Sequence, residues 1–162
     1  MALDMFLILD EIKGEAQDDV HGDTIDVLSW NWGMSQSGSF HSGGGGGAGK
    51  VTVQDITVTK WIDKSSPVLL KYCSNGDHFE EAKLIVRKAG KKPLEYLTIS
   101  MKKVLIKAVS TGGSGGEDKL TENVTLHFKK VKVDYQAQDA DGNKDGGAIT
   151  YVWDIASNAE KE

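Results

Sequence analysis

Residues with the spacing needed for phosphate chemistry lie in a run of glycines. Gly44 and Gly49-Lys50 match G-x-x-x-x-G-K, in which backbone N–H groups and a lysine hold phosphates. The next residue is Val51, where such a loop has the serine or threonine that binds magnesium. Residues 51–59 then alternate β-branched and polar side chains as a strand does, whereas a phosphate-binding loop leads into a helix. This context argues against nucleotide binding.

Residues of the types that bind metal ions are also present, but their spacing in the sequence does not fit a metal site. The histidines are surface residues in our interpretation, because none has a partner at ligand spacing. They are His21, His41, His78 and His127. Residues 139–147 carry oxygen ligands at alternate positions, yet Lys144 and Thr150 stand where a calcium loop needs glycine and glutamate. We predict a hairpin turn there, and no metal or cofactor.

Catalytic groups do not form a credible active site in this sequence. The adjacent acids Asp18-Asp19 and Glu80-Glu81 are poor acid–base pairs, because neighbouring strand residues point to opposite faces. No G-x-S-x-G motif occurs, and Cys73, the only cysteine, is predicted to be a small core residue. We therefore expect that the protein is not an enzyme.

The composition limits the kinds of partner that the protein can bind and the cellular compartment in which it folds. The net charge of −5 argues against nucleic acid, which needs a basic surface. The first ten residues lack the basic segment of a signal peptide, and their pattern predicts a strand. No apolar run reaches the roughly 20 residues that a membrane-spanning helix needs. We expect one domain over residues 1–162, folded in the cytoplasm without membrane insertion; any export would carry it in the folded state.

The elements that must position any functional group are mostly strands, because apolar residues recur with period two. Alternating apolar sets are Leu28, Trp30, Trp32 and Met34, and later Ile149, Tyr151, Trp153 and Ile155. Between these sets the phase slips at Gln54-Asp55, Lys102-Lys103 and Lys129-Lys130. Long strands that bend at such points favour a single antiparallel β-barrel. Strands buried on both faces are the alternative.

One segment has helix signals instead. Ser65 and Pro67 suit a helix start, and Asn75-Gly76 suits its end. We predict one short α-helix over about residues 66–75 that flanks the barrel. It would turn Leu69, Leu70 and Cys73 towards the barrel.

Taken in order, these segments resemble the Hcp family, the haemolysin-coregulated proteins of bacterial type VI secretion. The resemblance covers essentially the whole chain and is most specific in residues 109–118 with 120–124. Other matching segments are residues 4–7, 13–15, 25–38 with the glycine run, 53–55, 63–65, 82–84, 87–90 and 95–97.

The resemblance implies a β-barrel subunit that forms a ring-shaped homohexamer. Rings would stack into the inner tube of a contractile sheath, with a baseplate and a trimeric spike protein. Contraction would propel tube and spike into a neighbouring cell, which serves virulence and interbacterial competition. The secreted ring would also carry and chaperone small effectors in its lumen. The resemblance implies that the protein is not an enzyme. A tube subunit with a fused toxin domain is a related variant, but we expect no fused effector domain here, because the sequence continues for only seven residues after Ile155.

The resemblance also implies site residues. A loop over residues 34–50 would carry ring-to-ring contacts, and polyglycine suits close backbone approach. Its predicted stacking residues are Gln36, Ser37, Gly38, Ser39, Phe40, His41, Gly43, Gly44, Gly45, Gly46, Gly47 and Gly49. Asn31 and Ser114 match positions that look into the lumen, although Asn31 could be an ordinary sheet-surface residue.

A rival interpretation from another class is a monomeric β-barrel enzyme or ligand-binding protein with the glycine-rich loops as its lid. It predicts a concave pocket of ligand size. A native mass measurement separates the two, because only the tube subunit needs a ring.

Overall fold

The computed structural model describes residues 3–41, 49–90 and 93–162. These residues form strands joined by turns and one helix, which confirms the mainly β prediction. The elements are β1 (Leu3–Leu9), β2 (Ile25–Asn31), β3 (Met34–Gln36), β4 (Val51–Val53), β5 (Ile56–Trp61), α1 (Ser66–Asn75), β6 (His78–Lys88), β7 (Leu94–Thr111), β8 (Thr121–Tyr135) and β9 (Ile149–Asp154). Within the described ranges, no helix is long and apolar enough to span a membrane.

The strands close into a barrel. Six strands follow one another in the order β5-β2-β1-β6-β7-β8, and β8 then pairs with β5. Every pairing between these strands is antiparallel. Strand β9 extends the sheet from β8, and β3 and β4 form a separate two-stranded ribbon. The predicted barrel is thereby confirmed.

Strand β8 is 15 residues long and reaches two different neighbours on one edge. Its first half pairs with β5 from Trp61↔Thr121 to Ile56↔Leu126, and its second half pairs with β9. Its phase change lies at Lys129-Lys130, opposite Lys102-Lys103 of β7, where Lys103 has a left-handed φ of 57°. Both predicted phase changes are confirmed, because the buried set passes from Met101 to Val104 and from Phe128 to Val131. The third, at Gln54-Asp55, is the break between β4 and β5.

Strand β2 contains a phase change that the sequence pattern did not reveal. Its pairing with β5 shifts between Val27 and Ser29, so Leu28 is an extra residue and is exposed. Val27 is buried before the shift, and Trp30 packs on the core after it. The prediction that Leu28 shares a face with Trp30 was wrong, because the bulge turns Leu28 outward.

The barrel interior is filled by inward-facing apolar side chains from every barrel strand. Its fully buried members include Leu7, Ile25, Ile56, Val58, Leu84, Met101, Val104, Val124 and Leu126. The loop between β1 and β2 packs closely at Gly14, where a Cβ atom would lie 2.4 Å from the Thr24 carbonyl oxygen. Only glycine fits at this position without a backbone shift.

The helix has the predicted bounds, and Gly76 ends it in the left-handed conformation. Leu69 is fully buried, and Tyr72 and Cys73, three and four residues later, pack on the same side. Leu70 is 45% exposed, so its predicted inward orientation was wrong: it lies about 100° around the helix from Leu69. Ser65 makes no side-chain cap; its hydroxyl bonds to Asp63 instead.

A buried polar cluster joins the start of the helix to the barrel. Lys60 is 0% exposed and forms an ion pair with Glu122, which is 1% exposed. The Lys60 ammonium also lies 3.1 Å from Asp63 and donates to the Ser66 hydroxyl at 3.2 Å. The Ser66 hydroxyl donates to Glu122 at 2.6 Å. One cation thus connects β5, β8 and α1.

Candidate functional site

A face of small, uncharged polar side chains covers the outside of strands β2, β5, β8 and β7. Alternation produces it, because Ile56, Val58 and Lys60 of β5 point inward, whereas the residues between them point outward. Two rows of paired residues make up this small-polar face. One contains Ser29, Thr59, Asn123 and Ser110, and the other contains Asn31, Thr57 and Thr125.

Hydrogen bonds between neighbouring strands order this small-polar face. The Thr59 hydroxyl donates to the Asn123 amide oxygen at 2.7 Å, and the hydroxyls of Thr57 and Thr125 lie 3.2 Å apart. The side chains in these two rows offer both donors and acceptors but carry no fixed charge. It can therefore contact varied polar protein surfaces without strong selection by charge.

The two predicted lumen residues lie at separate places along this side of the barrel. Asn31 is exposed and pairs with Thr57 on the small-polar face. Ser114 lies in the β7–β8 loop, beside Ser110, in a depression of about 330 Å³. Strands β2 and β7 are three spacings apart, about 14 Å. The structure therefore places both residues on one side of the barrel but not in one pocket.

The β3–β4 ribbon continues from β2 and leads back into β5. Its pairs run from Met34↔Val53 to Gln36↔Val51. The ribbon touches the barrel where the Tyr151 hydroxyl lies 3.8 Å from the Met34 sulfur. Beyond the strands, Phe40 is 91% exposed. A phenylalanine in this position is well placed to contact another protein surface.

The structure places only part of the predicted stacking loop. Residues 36–41 and Gly49 lie in or beside the ribbon, and the predicted residues Gly43, Gly44, Gly45, Gly46 and Gly47 lie outside the described residues. Gly49 has a packing reason to be glycine, since a Cβ atom would lie 2.0 Å from the Ser37 hydroxyl oxygen. Glycine at this position lets the two arms of the ribbon come together.

A charged group holds the base of the ribbon and was missed by the sequence interpretation. Asp55 accepts from His127 at 2.7 Å and lies 3.1 Å from the Lys107 ammonium. Partial burial opposes ionisation of Asp55, but these two hydrogen bonds lower the pKa of its carboxyl below the ordinary value. The sequence held only part of this information. It placed Asp55 at a phase change and His127 on the polar side of its strand, but not the two side by side.

The other outward side of the barrel, over β6 to β9, is strongly charged. A groove of about 330 Å³ is lined there by Lys83, Lys102, Lys130 and Lys132 and by acidic side chains. Lys132 donates to the Glu162 carboxylate at 2.9 Å, and Lys130 to the Glu162 backbone carbonyl at 3.1 Å. The barrel thus has one small-polar side and one charged side. Among the described side chains, no group of His, Cys, Asp or Glu is arranged to hold a metal ion.

Known proteins share both the sequence and the barrel. A family model described as "Type VI secretion system effector, Hcp" matches residues 6–135. Protein hcp1 of Pseudomonas aeruginosa is 60% identical over 161 residues, which is 99% of either chain. These matches establish the family. The chain belongs to the Hcp family of type VI secretion.

Solved Hcp structures have the same fold. The crystal structure of Hcp1 from Salmonella typhimurium is 41% identical, with a TM-score of 0.83 over 99% of this chain and 100% of that one. A structure described as that of a type six secretion system protein has a TM-score of 0.93 at 28% identity, over 99% and 100% of the two chains. This Hcp protein therefore has the family barrel over nearly its whole length.

Proposed function

We propose that this Hcp protein is the subunit of the type VI inner tube. Six copies would form a ring, and rings would stack head to tail inside the contractile sheath, behind the spike and above the baseplate. On sheath contraction the tube would leave the cell and carry small effectors in its lumen. We also propose that residues 1–162 act as one structural domain, without catalysis.

The ribbon carries this proposal. It leaves the barrel between β2 and β5, and its Phe40 side chain is almost wholly exposed. A contact between rings would remove the apolar surface of this phenylalanine from water, which favours association. Family membership supports the same conclusion, because Hcp proteins belong to type VI secretion. We propose Gln36–His41, Gly43–Gly47 and Gly49 as the stacking loop.

The small-polar face supports the second half of the proposal. A lumen that admits different effectors needs a wettable surface without strong charge, and Asn31, Thr57 and Thr125 provide one. We propose that this face lines the lumen, with Asn31 and Ser114 among the effector contacts. The charged side over β6 to β9 would then point away from the lumen.

Light scattering on a size-exclusion column, with negative-stain images of the peak, tests the proposal. We expect about 105 kDa, six times the 17.5 kDa of one chain, and rings with a central hole. A peak at the mass of one chain would overturn the tube subunit and favour the rival monomeric barrel.

A further inference from the structure

Four lysines line one groove on the charged side of the barrel. They are Lys83 of β6, Lys102 of β7, and Lys130 and Lys132 of β8. We call this surface the lysine groove. Its volume of about 330 Å³ admits a short extended segment but not a folded element. None of the four lysines belongs to the small-polar face or to the ribbon.

Strand pairing brings two like charges together in the lysine groove. Lys102 and Lys130 are direct cross-strand partners in β7 and β8, and like charges in such a pair destabilise a sheet. Asp154 lies 3.9 Å from the Lys130 ammonium, and Glu81 lies 3.8 Å from that of Lys83. Lys102 forms no ion pair with any described side chain. The groove therefore has a cation whose charge another molecule can balance.

The neighbouring row of residues has the geometry of an anion cradle. Lys83 pairs with Ser100, and Ser100 pairs with Lys132, so a hydroxyl lies between two lysines. The two lysines are two strand spacings apart, about 10 Å. Lysine side chains are long enough to reach a common ligand from either side, and the serine hydroxyl can donate between them. Such a row suits the oxygens of a carboxylate.

This chain already places one carboxylate in the lysine groove. Lys132 donates to the Glu162 carboxylate at 2.9 Å, and Lys130 donates to the Glu162 backbone carbonyl at 3.1 Å. The hydrogen bond from Lys132 lowers the pKa of the Glu162 carboxyl, and the charge of Lys102 lowers it further. Glu162 is largely exposed, and an exposed ion pair is weak. A ligand with several carboxylates can therefore displace it.

We propose that the lysine groove binds an acidic peptide segment of a partner protein, and that Glu162 occupies the groove until this segment displaces it. The inference goes beyond the proposed tube function and does not depend on it. The carboxylate that the groove already holds belongs to a peptide, which favours a peptide ligand. Glu81 and Asp134 in the groove walls, and the net charge of −5, oppose a long polyanion such as nucleic acid.

A fluorescein-labelled hexaglutamate peptide tests this site by fluorescence anisotropy with the full chain. The titrations are run at an ionic strength of about 0.02 M and repeated at about 0.15 M, where salt screens exposed charges more strongly. A hexaglutamine peptide with the same label measures binding without charge. We expect saturable binding of hexaglutamate, weaker at the higher ionic strength, and none of hexaglutamine. Absence of saturable hexaglutamate binding would overturn the proposal.

Replacing two groove lysines locates the binding. Lys83→Gln combined with Lys102→Gln should weaken hexaglutamate binding about tenfold, because each lysine supplies a charged donor. The matched control combines Lys64→Gln with Lys71→Gln, which removes two exposed lysines outside the groove. It should change the affinity less than about twofold. Equal losses in the two double variants would overturn the groove as the site. Tighter binding of a labelled oligothymidine than of hexaglutamate would overturn the peptide as its ligand.

A third variant tests whether Glu162 competes for the site. Glu162→Gln should bind hexaglutamate about threefold more tightly, because a larger fraction of the molecules then has an open groove. Glu160→Gln is the matched control: it removes the same charge from an exposed residue outside the groove and should leave the affinity unchanged. Equal gains in both variants would reflect net charge alone and would overturn Glu162 as the internal occupant.

Discussion

At the residue scale, Arg87 ties the loop between β1 and β2 to the barrel. Its guanidinium donates to both carboxylate oxygens of Asp18, at 3.1 Å for one of them, and to Asp4 at 3.2 Å. It also lies 5.1 Å from the centre of the Phe6 ring. Such a bidentate ion pair fixes the position of the loop and also balances the charge of Asp18.

This contact makes part of the stability depend on pH. The hydrogen bond from Arg87, followed by that from the His21 backbone N–H, holds the pKa of Asp18 far below its ordinary value. A lowered folded-state pKa means that the contribution is complete above the unfolded pKa of about 3.9 and is lost as the pH falls below it. Asp18 therefore favours folding at neutral pH and stops doing so in acid.

We expect Asp18→Asn to lower the midpoint of urea unfolding at pH 7. Between pH 5 and 3 that midpoint should fall less steeply in the variant than in the unmodified protein. The physical reason is that the variant has no carboxylate to protonate opposite Arg87. Urea titrations at each pH, followed by tryptophan fluorescence, measure both effects. Asp19→Asn, in the same loop but exposed, is the control. A decline as steep in Asp18→Asn as in the unmodified protein would contradict the assignment.

At the element scale, the buried cluster around Lys60 decides how the helix sits on the barrel. Strands β5 and β8 supply Lys60 and Glu122, and the helix start supplies Ser66. The sequence pattern placed Lys60 on a strand, but it gave no reason to expect a fully buried lysine. Only the pairing of β5 with β8 brings an opposite charge to it.

Lys60→Met should destabilise the fold by about 3–5 kcal/mol, because Glu122 would keep a buried charge without its cation. Urea unfolding at pH 7 measures this loss. Adding Glu122→Gln to Lys60→Met should recover part of it, since the second change removes the unpaired charge. Lys132→Met, which removes an exposed lysine, is the control and should cost less than about 1 kcal/mol. A loss below about 1 kcal/mol for Lys60→Met alone would show that the cluster does not anchor the helix.

At the scale of the whole molecule, the barrel presents two chemically different sides. Small hydroxyl and amide side chains lie on β2, β5 and one half of β7 and β8, and charged side chains of β6 and of the other halves of β7 and β8 line the groove on the other side. The phase changes at Lys102-Lys103 and Lys129-Lys130 separate the two sides. In a ring built from such subunits, one side can face the lumen while the other faces outward.

Asn31→Arg tests this orientation. If the small-polar face lines the lumen, the six added cations should exclude effectors without disturbing the ring, because Asn31 is exposed and outside the core. We expect an unchanged ring mass and a severalfold lower level of a carried effector in cells, measured by immunoblotting. Ser100→Arg, on the charged side, is the matched control. Unaltered effector levels in a ring-forming Asn31→Arg variant would argue against the lumen role.

The sequence by itself determined the elements and the family. Period-two alternation, the Pro67 and Gly76 signals and the charged interruptions in β7 and β8 are local features, and each marks a strand, a helix end or a phase change without knowledge of its neighbours. The prediction that Leu70 faces the barrel was wrong because the orientation of a ten-residue helix depends on the surface it packs against.

Only the tertiary structure decided which distant residues meet. Closure of β5 on β8 buries Lys60 against Glu122, and the bulge in β2 turns Leu28 outward; both depend on pairing register, which a single strand does not specify. The same closure gathers Asn31, Thr57 and Thr125 into one row from three separate segments. The ribbon and Trp61 lie at opposite ends of β5, because that strand begins directly after the ribbon and ends at Trp61.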